Sequence, residues 1–265
     1  MSESLIYQQD GAVVTWTLNE PETRNAISPA IIEAIVAAVD RVNDDMSVSC
    51  VILTGAGEGF SSGGNVKNMA ARDGMFAARP ATTRRGYLHG IQRIPQAMYD
   101  LEVPSIAAVN GAAVGAGCDL SMMCDIRVAS EKAQFAESFL RVGLISGDGG
   151  AWYLPRVVGL SKAMEMTFTA EFIDAKRALE MGLCSHLVPP DQLMAKAREI
   201  AGKIAQHPAH SVRLNKKLMR DSQGIPLKQA LELASCMQAI VQSTDDQLEA
   251  VKAMLEKRKP AFKGS

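Results

Sequence analysis

The chain has 265 residues, of which 47% are apolar and 22% charged, with a formal net charge of −1. That suffices for a substantial core in one α/β unit or a core with a helical extension, and so balanced a charge excludes a nucleic-acid or anionic-membrane surface. The opening MSESLIYQQD lacks the basic and apolar regions of a signal peptide, the longest uncharged stretch (103–118) is too short and too rich in glycine to span a bilayer, and five cysteines form no CxxC pair, so the expectation is a cytoplasmic enzyme with free, mostly buried thiols.

In chain order, residues 11–18 (GAVVTWTL) are β-branched and roughly alternating and predict a strand. Ser28 and Pro29 then open a helix as N-cap and first helical residue, with an apolar stripe from Ile31 to Val39 and an end near Asn43. A strand at 48–54 completes a β-α-β unit. Residues 72–85 mix four arginines with glycine, proline and small residues and read as a mobile connection. A helix follows over about 82–100, a strand at 104–109, a helix from about Ala116 and a short strand at 125–129. Shorter helices dominate to about Val188, and from Asp191 the chain is helical, amphipathic and charge-rich. The change of composition near 190–200 is the one candidate domain boundary.

Two glycine-rich turns stand out, each directly after a buried strand. SVSCVILT (47–54) runs into GAGEGFSSGGN (55–65), and PSIAAV (104–109) runs into NGAAVGAGCD (110–119). Glycine at such points lets backbone approach a ligand and turn N–H groups outward. Two such loops can aim one N–H each at a single oxygen, forming an oxyanion hole from backbone alone. Either loop taken singly reads as an ordinary tight turn; together they point to an enzyme site.

Six segments, in order, resemble the enoyl-CoA hydratase/isomerase (crotonase) superfamily: PETRNAI (21–27), FSSGGNVKNM (60–69), IAAVNGAAVGAGCDLSMMCD (106–125), VGLISGDGGAWYLPR (142–156), DAKRALEMGLCSHLVP (174–189) and EKRKPAF (256–262). The resemblance implies an α/β fold: a crotonase-like spiral of ββα units over 1–190 holding the acyl-CoA site, and a helical C-terminal region over 191–265 used for trimerisation. It implies an acyl-CoA substrate, a homotrimer or dimer of trimers, and no cofactor beyond the CoA of the substrate. The oxyanion donors fall on Gly64 and Ala116. Ser62, Gly63 and Asn65 line the first loop near the thioester arm. Arg24 lies where the family binds the adenosine end, and Lys257 matches a lysine that reaches CoA from a neighbouring subunit. The competing reading of Arg24 and Lys257 is a solvated surface charge.

The acid/base residues depart from the family pattern. Hydratases of the family use two glutamates; the first falls on Asp119 and the second on Phe139, which transfers no proton. Asp119, Asp148 and Glu137, in that order of expectation, remain for the proton chemistry. Asp119 follows the second loop closely, Asp148 sits in the glycine-flanked turn ISGDGG, and Glu137 would share a face with Phe139 if the two lie on a strand. Asp148 also reads as an N-cap for a helix near Ala151, and Glu137 as a salt-bridged or solvated carboxylate. Asp125 reads as structural.

Hydration of an α,β-unsaturated acyl-CoA is the expected reaction, with double-bond isomerisation second and silent acyl-CoA binding third. A serine hydrolase is the remote choice. G-x-S-x-G occurs at 59–63, with Asp148 and His186 or His207 as partners, but residues 55–58 separate the strand from the serine, unlike a nucleophile elbow. Neither glycine loop is a dinucleotide fingerprint, because Phe60 and Leu120 stand in the third glycine's place. The four histidines lack metal-ligand spacing, so no metal is expected. His89 reads as surface or a satisfied core histidine.

Overall fold

A computed structural model describes residues 4–73, 76 and 79–264. Residues 74, 75, 77 and 78 of the connection read at 72–85 lie outside the described residues, as do residues 1–3 and 265. The fold begins with an antiparallel hairpin, β1 (Leu5–Asp10) and β2 (Val13–Leu18), turned at Gly11. The sequence reading starts its strand at 11 and misses β1. Gln8, Gln9 and Asp10 break the alternation there, which an edge strand tolerates because its outer face is wet.

Helix α1 (Pro29–Asp44) starts at the expected cap, with Ser28 Oγ accepting from Ile31 N at 3.2 Å. It leads into β3 (Cys50–Gly55), parallel to β2. After α2 (Val66–Ala71), the single helix expected over 82–100 is two, α3 (Pro80–His89) and α4 (Arg93–Asp100). Gly90 leaves helical geometry at φ −115°, ψ −113°, and Pro95 is accommodated in the first turn of the new helix, where its missing N–H costs nothing.

From here the chain winds as a spiral. β4 (Ser105–Val109) is followed by β5 (Ala112–Val114) and α5 (Ala116–Met123), then β6 (Ile126–Ser130) and β7 (Gln134–Ala136). Next come α6 (Gly150–Val158), α7 (Leu160–Thr169), β8 (Ile173–Asp174), α8 (Ala175–Met181) and β9 (His186–Val188). The strands divide between a six-stranded sheet, ordered β1-β2-β3-β4-β6-β9, and a three-stranded sheet, ordered β5-β7-β8, the chain crossing between them from β4 onward. This is the expected spiral of ββα units.

Side-chain alternation divides the large sheet cleanly. Val51, Leu53, Ala107 and Val109 enter the main core with Trp16, while Cys50, Ile52, Ile106 and Ala108 face the other way. That second face is covered by Leu193, Ala197 and Ala201 of α9 (Leu193–Ile204). Helix α10 (Ala209–Asp221) is tied back by Arg213, Lys216 and Arg220, the last also pairing with Asp125. Arg213 donates to Val42 O and Asp45 O at the end of α1, and Lys216 pairs with Asp125 at 2.7 Å. Asp125 also accepts from Ser105 N at 2.7 Å, so its structural reading holds. Helices α11 (Leu227–Gln242) and α12 (Asp245–Glu256) leave Leu227, Leu231, Met254 and Leu255 exposed. Cys50, Cys118, Cys124 and Cys184 are free and buried, and Cys236 is free and exposed. No described helix is long and apolar enough to cross a membrane.

Candidate active site

The two glycine loops meet. The chain after β3 runs alongside β5, with Phe60 N donating to Ala112 O at 3.0 Å and Val114 N to Ser61 O at 2.9 Å. Gly63, at φ 73°, then lies so close that a Cβ on it would stand 2.3 Å from Val114 O and 2.9 Å from Ala116 N. Only glycine serves there. Ala116 opens α5, so its N–H has no carbonyl within the helix to pair with. Among the described residues, neither Gly64 N nor Ala116 N donates to the protein. Both residues line one cavity of about 550 Å³.

The loop is stapled from behind by Asn25, which the sequence reading passes over. Buried at φ 55°, it donates from Nδ2 to Ala56 O, Gly59 O and Phe60 O and accepts from Glu20 N at Oδ1. Asparagine tolerates the left-handed region, which was the available signal in PETRNAI. Ser61 Oγ donates to Asn25 O at 2.7 Å and accepts from Gly63 N at 3.2 Å, while Ile27 N donates to Gly63 O at 2.8 Å. The serine of the G-x-S-x-G match is therefore fully buried and committed to the backbone, which removes the nucleophile that the hydrolase reading needs.

Ser62, Asn65, Phe139 and Asp148 line the same cavity as Gly64 and Ala116. Asn65 caps α2, accepting from Lys67 N at 3.0 Å. Gly63 lies behind the lining, and Arg24 and Lys257 are exposed and absent from it, both in left-handed turns. His89 lines the cavity and is exposed. Tyr87, without a sequence signal, also lines it; its ring is the nearest neighbour a side chain on Gly147 would meet. Among the described residues no group of three or more histidines, cysteines or carboxylates is arranged to hold a metal ion.

Three carboxyls sit together behind the two glycine loops. Asp119, Glu137 and Asp148 are 0%, 1% and 2% exposed. Asp119 is in hydrogen-bonding contact with Glu137 on one side and Asp148 on the other. Of their six oxygens, only Asp119 Oδ2 receives regular donors, Ser146 Oγ at 3.0 Å and Gly150 N at 3.1 Å. Asp119 and Ser146, which also accepts from Ala151 N, thus cap α6. Asp148 does not cap it, contrary to one reading of ISGDGG; Gly149 is the cap residue, and Asp148 lines the cavity with both carboxyl oxygens buried and without a regular donor. Nor do Glu137 and Phe139 share a strand face. β7 ends at Ala136, and a 3₁₀ turn over Ser138–Val142 sends Phe139 to the cavity and leaves Glu137 buried beside Asp119 and Cys118. Of the three carboxyls, only Asp148 lines the cavity.

Burial raises all three acids above the usual carboxylate range. Repulsion follows as the next cause for Asp119, from Glu137, and for Asp148, from Asp119. Touching carboxylates cannot all ionise, and a proton between neighbours turns each contact into a hydrogen bond. Tyr87 is raised too, by burial and then by the charge of Asp148. The arrangement brings two residues with unpaired N–H groups and one acid, whose neutral form burial favours, to a single cavity.

A family model described as enoyl-CoA hydratase/isomerase matches residues 8–265. The chain is 35% identical over 264 residues to the 2,3-dehydroadipyl-CoA hydratase of Escherichia coli (strain K12), covering 100% of both chains. It is 35% identical over 259 residues to the short-chain-enoyl-CoA hydratase of Clostridium acetobutylicum, covering 97% of this chain and 96% of that one. Among solved structures, an enoyl-CoA hydratase from Bacillus anthracis superposes with a TM-score of 0.92 at 33% identity, covering 99% of this chain and 100% of the other.

The raised carboxyls set the sign of a pH effect. Their neutral forms are favoured in the folded chain, so the stability they contribute is complete below about pH 4, the unfolded carboxylate value, and is lost as pH rises through their folded values. Asp148→Asn removes one of these titrations. Between pH 5 and pH 8 the Tm of the variant should therefore fall less than that of the wild type. Parallel Tm curves from differential scanning calorimetry would contradict the buried-acid assignment.

Proposed function

The chain belongs to the enoyl-CoA hydratase/isomerase family, and from that premise we propose that it adds water across the α,β double bond of an acyl-CoA thioester with Asp148 as its one proton-transferring side chain. The observation that carries this reading is that Asp148 lines the same cavity as Gly64 and Ala116, whose N–H groups have no acceptor in the protein among the described residues. With the thioester oxygen between those two groups, electron density is drawn from the double bond toward the carbonyl, and the β-carbon becomes open to water. The N-terminus of α5 adds its partial positive charge at Ala116.

One carboxyl can carry both proton transfers. The neutral Asp148 gives its proton to the α-carbon, while its other oxygen takes a proton from the water that bonds to the β-carbon. The acid ends protonated, as it began, and no second base is needed where Phe139 stands. Burial supports this by favouring the neutral form of Asp148, and any charge on Asp119 adds to it. Ser62 and Asn65 flank the thioester arm. Arg24 meets the adenosine end of CoA.

Isomerisation is a second reading, favoured by the same Phe139. Its ring takes the place of a water-activating carboxyl, and a lone acid can shuttle a proton along the acyl chain. The apolar residues exposed on α11 and α12, with Met254 81% and Leu255 78% exposed, support assembly as a trimer or dimer of trimers, with Lys257 reaching a neighbour's CoA.

Asp148→Asn keeps the shape and ends proton transfer. It should lower kcat on crotonyl-CoA by about a hundred- to ten-thousandfold with little change in KM. A product heavier by one water identifies hydration, and an unchanged mass isomerisation; normal kcat in the variant would remove Asp148 from the chemistry. Gly64→Pro deletes one oxyanion N–H and should cost about a hundred- to a thousandfold in kcat with native circular dichroism, whereas unchanged turnover in the folded variant would dismiss that donor. Light scattering at micromolar concentration should give a trimer or hexamer, and a monomer would count against the assembly.

A further inference from the structure

We infer that the cavity takes an uncharged acyl group and discriminates against acyl chains that end in a carboxylate; this rests on the acyl-CoA reading above. The acids lining the cavity are Glu20, Glu33, Asp73 and Asp148. Among the described residues no lysine or arginine lines it, and the one basic side chain there is the exposed His89. Residues 74, 75, 77 and 78 are glycine, methionine and two alanines, so the sequence places no cation in that gap.

Cations do stand nearby, and none is aimed inward. Arg72, Arg79, Arg84 and Arg85, the four that the sequence offered as partners for an acyl carboxylate, are all exposed and absent from the lining. Arg93 is held outside by both oxygens of Glu33. Ile27, Ile32, Met69, Phe76, Ile91 and Phe139 form the apolar part of the wall. An acyl chain ending in a methyl group would lose water from apolar surface on both sides, which favours binding. A terminal carboxylate would give up its hydration for a space with no lysine or arginine in its described lining, and would meet Glu20 and Asp73 there as well.

Binding can be measured without turnover, which separates this inference from the reaction. Hexanoyl-CoA and adipoyl-CoA have acyl chains of equal length and differ in the terminal carboxylate. Titration calorimetry with the wild-type protein should show hexanoyl-CoA binding tighter by about a hundredfold, the scale of an uncompensated charge moved out of water. The methyl ester of adipoyl-CoA, which keeps the bulk and loses the charge, should bind close to hexanoyl-CoA. Adipoyl-CoA binding as tightly as hexanoyl-CoA would overturn the inference, and so would a methyl ester as weak as the free acid, because size would then be the cause. If hexanoyl-CoA binds tightly and crotonyl-CoA is not turned over, the proposed reaction fails while the selectivity stands. If none of the three binds, the acyl-CoA reading falls and the selectivity with it.

Discussion

Everything at the cavity depends on two stretches of backbone passing each other with no side chain between them. Gly63 must sit where any Cβ would strike Val114 O, and the contact lets the N–H groups of Gly64 and Ala116 share one space. Hydrogen bonds hold that approach rather than apolar packing. Asn25 binds three carbonyls of the first loop, Ser61 joins Asn25 to Gly63, and Ile27 holds Gly63 from the far side. A donor pair preorganised in this way needs no reorganisation when charge develops on an oxygen between them. The spiral supplies the opposing wall, because β5 lies in the small sheet directly beside the strand-like run through Ser61.

The same spiral explains how three acids far apart in sequence come into contact. Asp119 lies in α5, Glu137 directly after β7, and Asp148 in the turn before α6, so successive windings bring them to one point. As a device for stability the cluster is poor, because each acid must stay protonated or face a like charge out of water. Gly150 shows how closely it is packed: a Cβ there would stand 2.0 Å from Asp119 Oδ1. Groups held this unfavourably gather where chemistry needs a shifted proton affinity. Asp119 has a structural task as the cap of α6, whereas Asp148 lines the cavity without a regular donor from the protein.

The elements legible in the sequence were those with strong local signals. Ser28 and Pro29 mark the start of α1 because cap and proline chemistry act within one turn, and the glycine loops announce themselves by composition. β1 was not legible because an edge strand carries little alternation, and the division of α3 from α4 rests on one glycine whose meaning depends on Pro95 downstream. At the site, Gly64 and Ala116 came through the family resemblance, and the structure gives them a common cavity. The order among the carboxyls was beyond the sequence. Which of Asp119, Glu137 and Asp148 reaches the cavity depends on a 3₁₀ turn after β7 and on which group caps α6, and both are settled by tertiary contacts. Asn25 had a local signal in its αL tolerance, while Tyr87 had none.

The charge balance of the cavity ties the proposed chemistry to its proposed selectivity. An enolate forming at the thioester would place negative charge between Gly64 and Ala116, where peptide dipoles and the N-terminus of α5 are the available stabilisers and no described cation lines the space. Such dipoles suffice when the surroundings are dry and otherwise neutral, since their field is then weakly screened. Phe139 serves that condition by placing a ring beside Gly115, where a carboxylate would have added both water and negative charge. Burial, which favours the neutral form of Asp148, serves it too. A second anion in the cavity would work against both, opposing the enolate directly and holding the proton more tightly on Asp148. An acid held toward its neutral form, an aromatic ring beside Gly115 and the proposed uncharged acyl group would therefore all answer one electrostatic requirement.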